Sequence, residues 1–358
     1  LTTGPKVKLL EDEITELCQT SSTICVNSWT SGMLLLIRWL DLGEDDEIIV
    51  PTYTYAASAL AVINSRVKCV FVDVNSDFTI NIDEVEKAVT KNTKAIMPVD
   101  LGGLPVDYIA LNSLLSKESV KSKFNPKTDF QRKIGRPIVI SDAAHSIGSL
   151  IDGVPTPLFS DFSVFSFHSV KNITTGEGGM VLTDDEELDK RAKGLRNLCF
   201  TADRFIHEEL GWNYRMTNMQ AALGVAQLEQ IDKFVEKKRY IGHTYNELLK
   251  DIKVISLPIA KTRWCENIYW VYAITLKDDY KKSVKEVMTE LHKYKIGVRP
   301  FFYPMHKQPV FNKMGLFLND DLPNSEKLYE KGFYIPSGMA LTNKEMLEVS
   351  IALHKVLL

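Results

Sequence analysis

One lysine of this sequence has the setting of a reactive amine. The segment Ser163-Val-Phe-Ser-Phe-His-Ser-Val-Lys171-Asn-Ile-Thr-Thr-Gly-Glu-Gly-Gly-Met180 is an apolar run ending in small polar residues, then the lysine, then a glycine-rich turn into another apolar run. A lysine at the end of such a strand lies in a cleft. Apolar strands on both sides desolvate it and lower its pKa, which is what Schiff-base chemistry requires. A second group is Val139-Ile-Ser-Asp142-Ala-Ala-His145, where an acid follows directly on a buried-type strand. Asp142 reads either as the cap of a helix from Ala143 onward or as a carboxylate aimed at a cationic ring nitrogen. In the second reading the contact contributes about 4 kcal/mol at about 4 Å and an effective dielectric of about 20, before desolvation. It would keep a pyridine protonated, and so an electron sink.

Three more segments have the residue types of a binding site. Asn27-Ser28-Trp29-Thr30-Ser31-Gly32 offers hydroxyls and free amides at a helix start, an anion site or an ordinary cap. Pro51-Thr-Tyr53-Thr-Tyr55 places an aromatic pair just past a strand, able to stack on a flat ring or simply to pack. Gly211-Trp-Asn213-Tyr-Arg-Met-Thr-Asn-Met-Gln220 is a polar turn into a long helical stretch.

Short apolar strands alternating with helices must carry these groups. Strands are expected at 23–26, 47–50, 70–72, 95–97, 137–140, 162–167 and 180–182, with helices at 33–40, 56–63 and 83–89, the last capped by Asp83. The pattern predicts an α/β fold whose mostly parallel sheet is covered on both faces. Ligands of such sheets bind at the carboxyl ends of the strands. Beyond about residue 215 come one or two long helices (219–250), a strand near 270–275, an amphipathic helix (282–294), a Pro/aromatic stretch (299–310) and a last helix capped at Thr342 or Asn343. This reads as a smaller α+β domain, with the division placed at 1–240 and 241–358. Residues 117–136 carry seven basic and two acidic residues and little periodicity. They read as a solvated surface loop, the alternative being a basic arm near a phosphorylated ligand.

Composition narrows the classes. At 358 residues the chain suits two domains. Lys+Arg 43 against Asp+Glu 46 leaves a net charge of -3, with no general footprint for nucleic acid or an anionic membrane. Five scattered cysteines without a C-x-x-C pair argue against a disulfide framework and a thiolate metal site. No apolar run approaches the ~20 residues of a membrane span, and no signal segment is evident. A cytoplasmic, reduced protein without a metal centre is expected.

Together the five segments resemble the sugar aminotransferases of the DegT/DnrJ/EryC1/StrS group, which have the aspartate-aminotransferase fold (fold type I). The likeness spans nearly the whole chain and is carried by Ser141-Asp-Ala-Ala-His145, by Phe165-Ser-Phe-His168 with Lys171 to Gly179, and by Asn213 to Gly224. It implies a large domain with a seven-stranded sheet, a smaller C-terminal domain and pyridoxal 5'-phosphate (PLP) as cofactor. Residue by residue, it implies that Lys171 is the Schiff-base lysine and Asp142 the partner of the pyridine nitrogen. His145 would lie near the phenolic oxygen and Tyr55 on the ring. Thr30, Ser31 and Ser166 would hold the phosphate. Asn213 would reach the phosphate of a neighbouring subunit, which implies a homodimer with shared active sites. A dehydratase branch has histidine at the lysine position; Lys171 therefore implies transamination.

The loop Gly297-Val-Arg299-Pro-Phe-Phe-Tyr303-Pro-Met-His306-Lys-Gln-Pro309 is similar to that of the GDP-perosamine synthase branch. That implies Arg299, Tyr303 and His306 as sugar-nucleotide contacts. The expected reaction is amination of a 4-keto-6-deoxy nucleotide sugar by L-glutamate, first GDP-4-keto-6-deoxy-D-mannose and second a UDP- or dTDP-linked sugar, toward O-antigen lipopolysaccharide. Trp29 stands where the family usually has glycine, Gly32 replaces a small non-glycine residue, and the basic segment is longer than the family's usual connection. A PLP- or sugar-nucleotide-binding sensor is the non-enzyme alternative. A nicotinamide oxidoreductase is weaker still, since no G-x-G-x-x-G follows the first strand.

Overall fold

Ile48 and Val50 pack into one hydrophobic core while Ile49 between them packs into another, and Ile138, Val139 and Ile140 alternate in the same way. Side chains of a strand alternate faces, so both faces of this sheet are buried, as the continuous apolar runs require. The computed structural model describes residues 1–200 and 205–358. Its large sheet contains β1 (Ser22–Val26), β2 (Glu47–Pro51), β3 (Lys68–Val72), β4 (Thr93–Ile96), β5 (Ile138–Asp142), β6 (Phe162–Ser166) and β7 (Gly179–Thr183). The order is β1-β7-β6-β5-β4-β2-β3. Only β7 runs against its neighbours. This is the α/β, seven-stranded, mostly parallel architecture expected.

The reversed strand has a functional effect. Because β7 is antiparallel to β6, the chain between them is a hairpin loop, 167–178, with no crossover helix. Phe167 and Thr175 close its neck: Phe167 N–H donates to the Gly178 carbonyl, and Thr175 N–H to the Phe167 carbonyl, both at 2.9 Å. Lys171 is at its tip. The helix Trp29–Trp39 lies close against β6 and β7, and Gly32 is the reason it can. A Cβ there would meet Val181 Cγ2 at 2.9 Å and Val164 Cγ1 at 3.1 Å.

A second, antiparallel sheet has the order β8-β9-β11-β10, with β8 (Ile255–Ser256), β9 (Tyr272–Leu276), β10 (Arg299–Pro300) and β11 (Gly332–Ile335). The stretch 219–250 forms two helices, Asn218–Leu228 and Ile231–Leu249. The second helix is shared. Ile231 and Val235 belong to a core of the large sheet, while Ile241, Tyr245 and Leu249 belong to the core under the small sheet. Residue 240 is therefore the middle of a helix. Among the described residues no helix is long and apolar enough to cross a membrane.

Two local expectations are corrected. The helix Ile82–Ala88 is capped by Asn81, whose side chain accepts from the N–H groups of Asp83 and Glu84, so Asp83 lies inside its first turn. The basic segment is not a plain loop. It contains helices Glu118–Lys121 and Asp129–Ile134, the latter capped by Thr128 and ended by Gly135 at φ 67. Gln131 is fully buried and donates to the Leu40 carbonyl at 3.2 Å. Lys127 pairs with Asp46 at 2.8 Å and Arg136 with Asp161 at 2.7 Å. Asp46 and Asp161 precede β2 and β6, so these anchors lie at the amino ends of the strands, opposite the ligand-binding end.

Candidate active site

The carboxyl ends of β1, β2, β5 and β6 open into a cavity of about 780 Å³ whose other side is formed by the shared helix and the small sheet. Its lining includes Thr30, Tyr55, Asp142, His145, Ser166, Lys171 and Arg299. Seven of the residues expected from the sequence are thus together, although they are spread over 270 positions.

Asp142, the last residue of β5, is buried. Its Oδ2 accepts from Ser58 Oγ at 2.8 Å and its Oδ1 from the Ala144 N–H at 3.2 Å. Burial pushes its pKa up to about 6, opposed by Ser58, the Ala144 N–H, Lys171 and the indole of Trp29. Behind Asp142 lies a second buried acid, Asp100, which accepts from Ser146 Oγ at 2.6 Å, the Val106 N–H at 3.0 Å and the Tyr108 hydroxyl at 3.1 Å. Burial raises it to about 7. This network fixes the turn that carries Asp142 and His145.

Lys171 is brought down to about 8 by burial, against the pull of Asp142. Its Nζ is 4.6 Å from the centre of the Trp270 ring. That ring also stacks on His145, with centroids 3.6 Å apart and planes at 9°, and its N–H donates to the Val170 carbonyl at 2.8 Å. Burial, then Lys171, holds His145 well below the usual imidazole range. The Gly102 N–H meets its Nδ1 at 3.4 Å, which leaves the proton of the neutral ring on Nε2. Trp270 is set by Tyr269, which has φ 51 and whose N–H donates to Asn267 Oδ1 at 2.7 Å. The Tyr269 ring lies flat against Gly242, where a Cβ would be 2.5 Å from it.

Four expected residues lie outside the cavity. Ser31 turns its hydroxyl to Asn27 Oδ1 and Ser28 Oγ, and Ser28, the cap of its helix, lines the cavity in its place. Tyr303 packs edge-on against Tyr329, 4.9 Å away. His306 is fully buried and its ring bridges Thr52 Oγ1 at 2.8 Å and Glu326 Oε1 at 3.1 Å. It is a tether between β2 and the helix Pro323–Lys331, and no sugar can reach it. Asn213 is exposed on a strand-like bridge with Asn197, away from the cavity of its own chain. Conversely, Ser58, Trp270 and Lys238 line the cavity without having been singled out. Each comes from a helix or strand edge whose local sequence has no turn or glycine signal.

The sequence matches the DegT/DnrJ/EryC1/StrS aminotransferase family over residues 1–123 and 129–354. The internal gap in that match, 124–128, falls in the basic segment. Similar curated proteins include the GDP-perosamine synthase of Escherichia coli O157:H7, 31% identical over 98% of this chain and 90% of that protein. Another is the UDP-N-acetyl-3-dehydro-alpha-D-glucosamine 3-aminotransferase of Acidithiobacillus ferrooxidans, 30% identical over 99% and 89%. Among solved structures, Spr1654 from Streptococcus pneumoniae in its PLP form superposes with a TM-score of 0.93 at 29% identity, covering 100% of this chain and 93% of that one.

Proposed function

We propose, for a chain that belongs to the DegT/DnrJ/EryC1/StrS aminotransferase family and is a PLP-dependent sugar aminotransferase, that it aminates a 4-keto-6-deoxy nucleotide sugar with L-glutamate as donor. GDP-4-keto-6-deoxy-D-mannose is the first substrate, giving GDP-perosamine for a surface polysaccharide. Lys171 and Asp142 in one cavity carry the reading: an amine near 8 beside a buried acid. The guanosine choice is supported by the loop 297–309 and by the perosamine synthases among the relatives. A UDP-linked sugar is the second reading, supported by the relative that acts on one.

The residues present fit the cofactor. Asp142 would hold the ring nitrogen, Tyr55 would stack on the ring, His145 would lie near its phenolic oxygen, and Ser28, Thr30 and Ser166 would hold the phosphate with the N-terminus of the helix Trp29–Trp39. Bound PLP supplies the aldehyde that exchanges amino groups and the ring that stores an electron pair. Asp142 keeps a negative charge in a buried place, where it favours a protonated ring nitrogen strongly. Lys171 Nζ, near 8, can release and take up a proton at neutral pH, so it serves as acid and base at the substrate carbon. Trp270 and His145 form a wall beside that amine and keep water from it. Asn213, exposed on its own chain, is free to complete the phosphate site of a second copy in a homodimer.

The test is incubation of the holoenzyme with glutamate and separate GDP-, UDP- and dTDP-4-keto-6-deoxy sugars, followed by mass spectrometry. A 4-amino product from the GDP sugar is expected. Product from the UDP or dTDP sugar alone would replace the first reading with the second.

A further inference from the structure

Lys238 is a second buried lysine of the cavity, and the chemistry above does not use it. It projects from the helix Ile231–Leu249, is 7% exposed, and lines the same space as Lys171. An ammonium has three N–H donors. Lys238 Nζ gives one to the Trp270 carbonyl at 2.9 Å and one to the Ser337 carbonyl at 2.8 Å. Both acceptors are neutral. Among the described residues no carboxylate pairs with it, and burial alone accounts for the lowering of its pKa to about 8.

A neutral amide could tether the two loops without the desolvation cost of a buried charge lacking a counter-ion. The cation therefore suits an anion that arrives with a ligand. Trp270 says where. Its ring lies against Lys171 Nζ and its carbonyl holds Lys238 Nζ, so one residue separates the two amines. An amino-acid donor has its α-carboxylate one bond from the carbon that exchanges nitrogen, so that carboxylate stays close to Lys171. The diphosphate of a nucleotide sugar leaves from C1, across the hexose from a C4 keto group. It points away from Lys171, toward the mouth where Arg299 is exposed.

We propose that Lys238 is the positioning residue that binds the α-carboxylate of the amino donor through the N–H its two carbonyl partners leave free. The proposal rests on the reading of the chain as a glutamate-dependent aminotransferase. It makes Lys238 important for the donor and dispensable for the nucleotide.

The experiment uses the holoenzyme and L-2-hydroxyglutarate, which has both carboxylates and no amine to exchange. Lys238→Gln keeps an N–H for the tether and loses the charge. Its dissociation constant for hydroxyglutarate, by calorimetry, should rise about tenfold or more, the scale of one charge-assisted hydrogen bond. Its affinity for GDP and UDP should stay within about twofold. Lys238→Arg should recover most of the hydroxyglutarate binding. In turnover, the Gln variant should raise the KM for glutamate with little change in kcat or in the KM for the sugar. The proposal is overturned if the folded Gln variant binds hydroxyglutarate as the wild type does, or if nucleotide affinity falls instead. If that variant does not fold, the wild type decides: equal binding of hydroxyglutarate and its α-amide overturns the proposal, and an about tenfold loss for the amide supports it. A wild-type holoenzyme whose colour glutamate does not bleach refutes the aminotransferase reading itself. Normal bleaching with unaffected variants refutes only the role of Lys238.

Discussion

Removing one hydroxyl should retune the buried acid of the site. Ser58 Oγ donates to Asp142 Oδ2 at 2.8 Å, and both residues are buried. Burial holds Asp142 near 6, and the Ser58 hydrogen bond is the largest of the influences pulling it down. A hydrogen bond to a charged group contributes about 1.5–3 kcal/mol, and one pKa unit corresponds to about 1.4 kcal/mol. Ser58→Ala should therefore raise Asp142 by about one to two units, from about 6 to about 7–8 in the cofactor-free protein. The sign for binding follows. PLP pairs its ring nitrogen with the ionised acid, so affinity is full above the Asp142 pKa and falls as pH drops through it. The wild type should lose affinity near pH 6, and the variant at about one to two units higher. The assay is equilibrium binding of PLP to the apo-protein across that range, with the carboxyl carbon shift of Asp142 as an independent titration. Coincident midpoints for the two proteins would refute the claim that this hydroxyl sets the charge of Asp142.

Two further perturbations test other parts of the structure. Lys171→Ala and Asn213→Asp chains, each weakly active alone, should regain activity on subunit exchange, up to about half per active dimer, because one mixed site holds both intact residues; demonstrated exchange without recovery would remove Asn213 from the partner's site. Gly242→Ala puts a methyl 2.5 Å from the Tyr269 ring. It should lower stability by about 1–3 kcal/mol and also slow turnover, since Tyr269 sets Trp270. A denaturant melt that matches the wild type would show that the ring moves aside freely.

What could be read before folding is what chemistry concentrates locally. Asp142 ends a strand and Lys171 follows one closely in the next loop, each in a short stretch whose residue types betray a cleft, and the alternation of Ile48, Ile49 and Val50 with helical segments announces the covered sheet. The partner that tunes Asp142 is Ser58, 84 positions away and one serine among many. Trp270 and Lys238 meet the site only because the shared helix Ile231–Leu249 and the segment leading into the small sheet pack over the large one. His306 shows the converse error: a polar residue in a Pro/aromatic loop has the composition of a ligand contact, and nothing local says that Thr52 and Glu326 use both of its nitrogens. The basic segment misled for another reason. Thr128 and Gly135 are ordinary helix stops, but only six residues lie between them, and the surrounding lysines hid so short a helix.

The helix Ile231–Leu249 enters one core with Ile231 and Val235 and leaves through another with Tyr245 and Leu249. It cannot melt at one end without loosening a wall of the other core. The two halves of the chain should then unfold as one cooperative unit, with amide-exchange protection rising and falling together on both sides. A chain severed at residue 240 would leave each fragment with a frayed stub in place of a wall, and neither would be an autonomous folding unit. Lys238 lies between the two anchored stretches, so the cavity would be lost in the same transition that dissolves both cores.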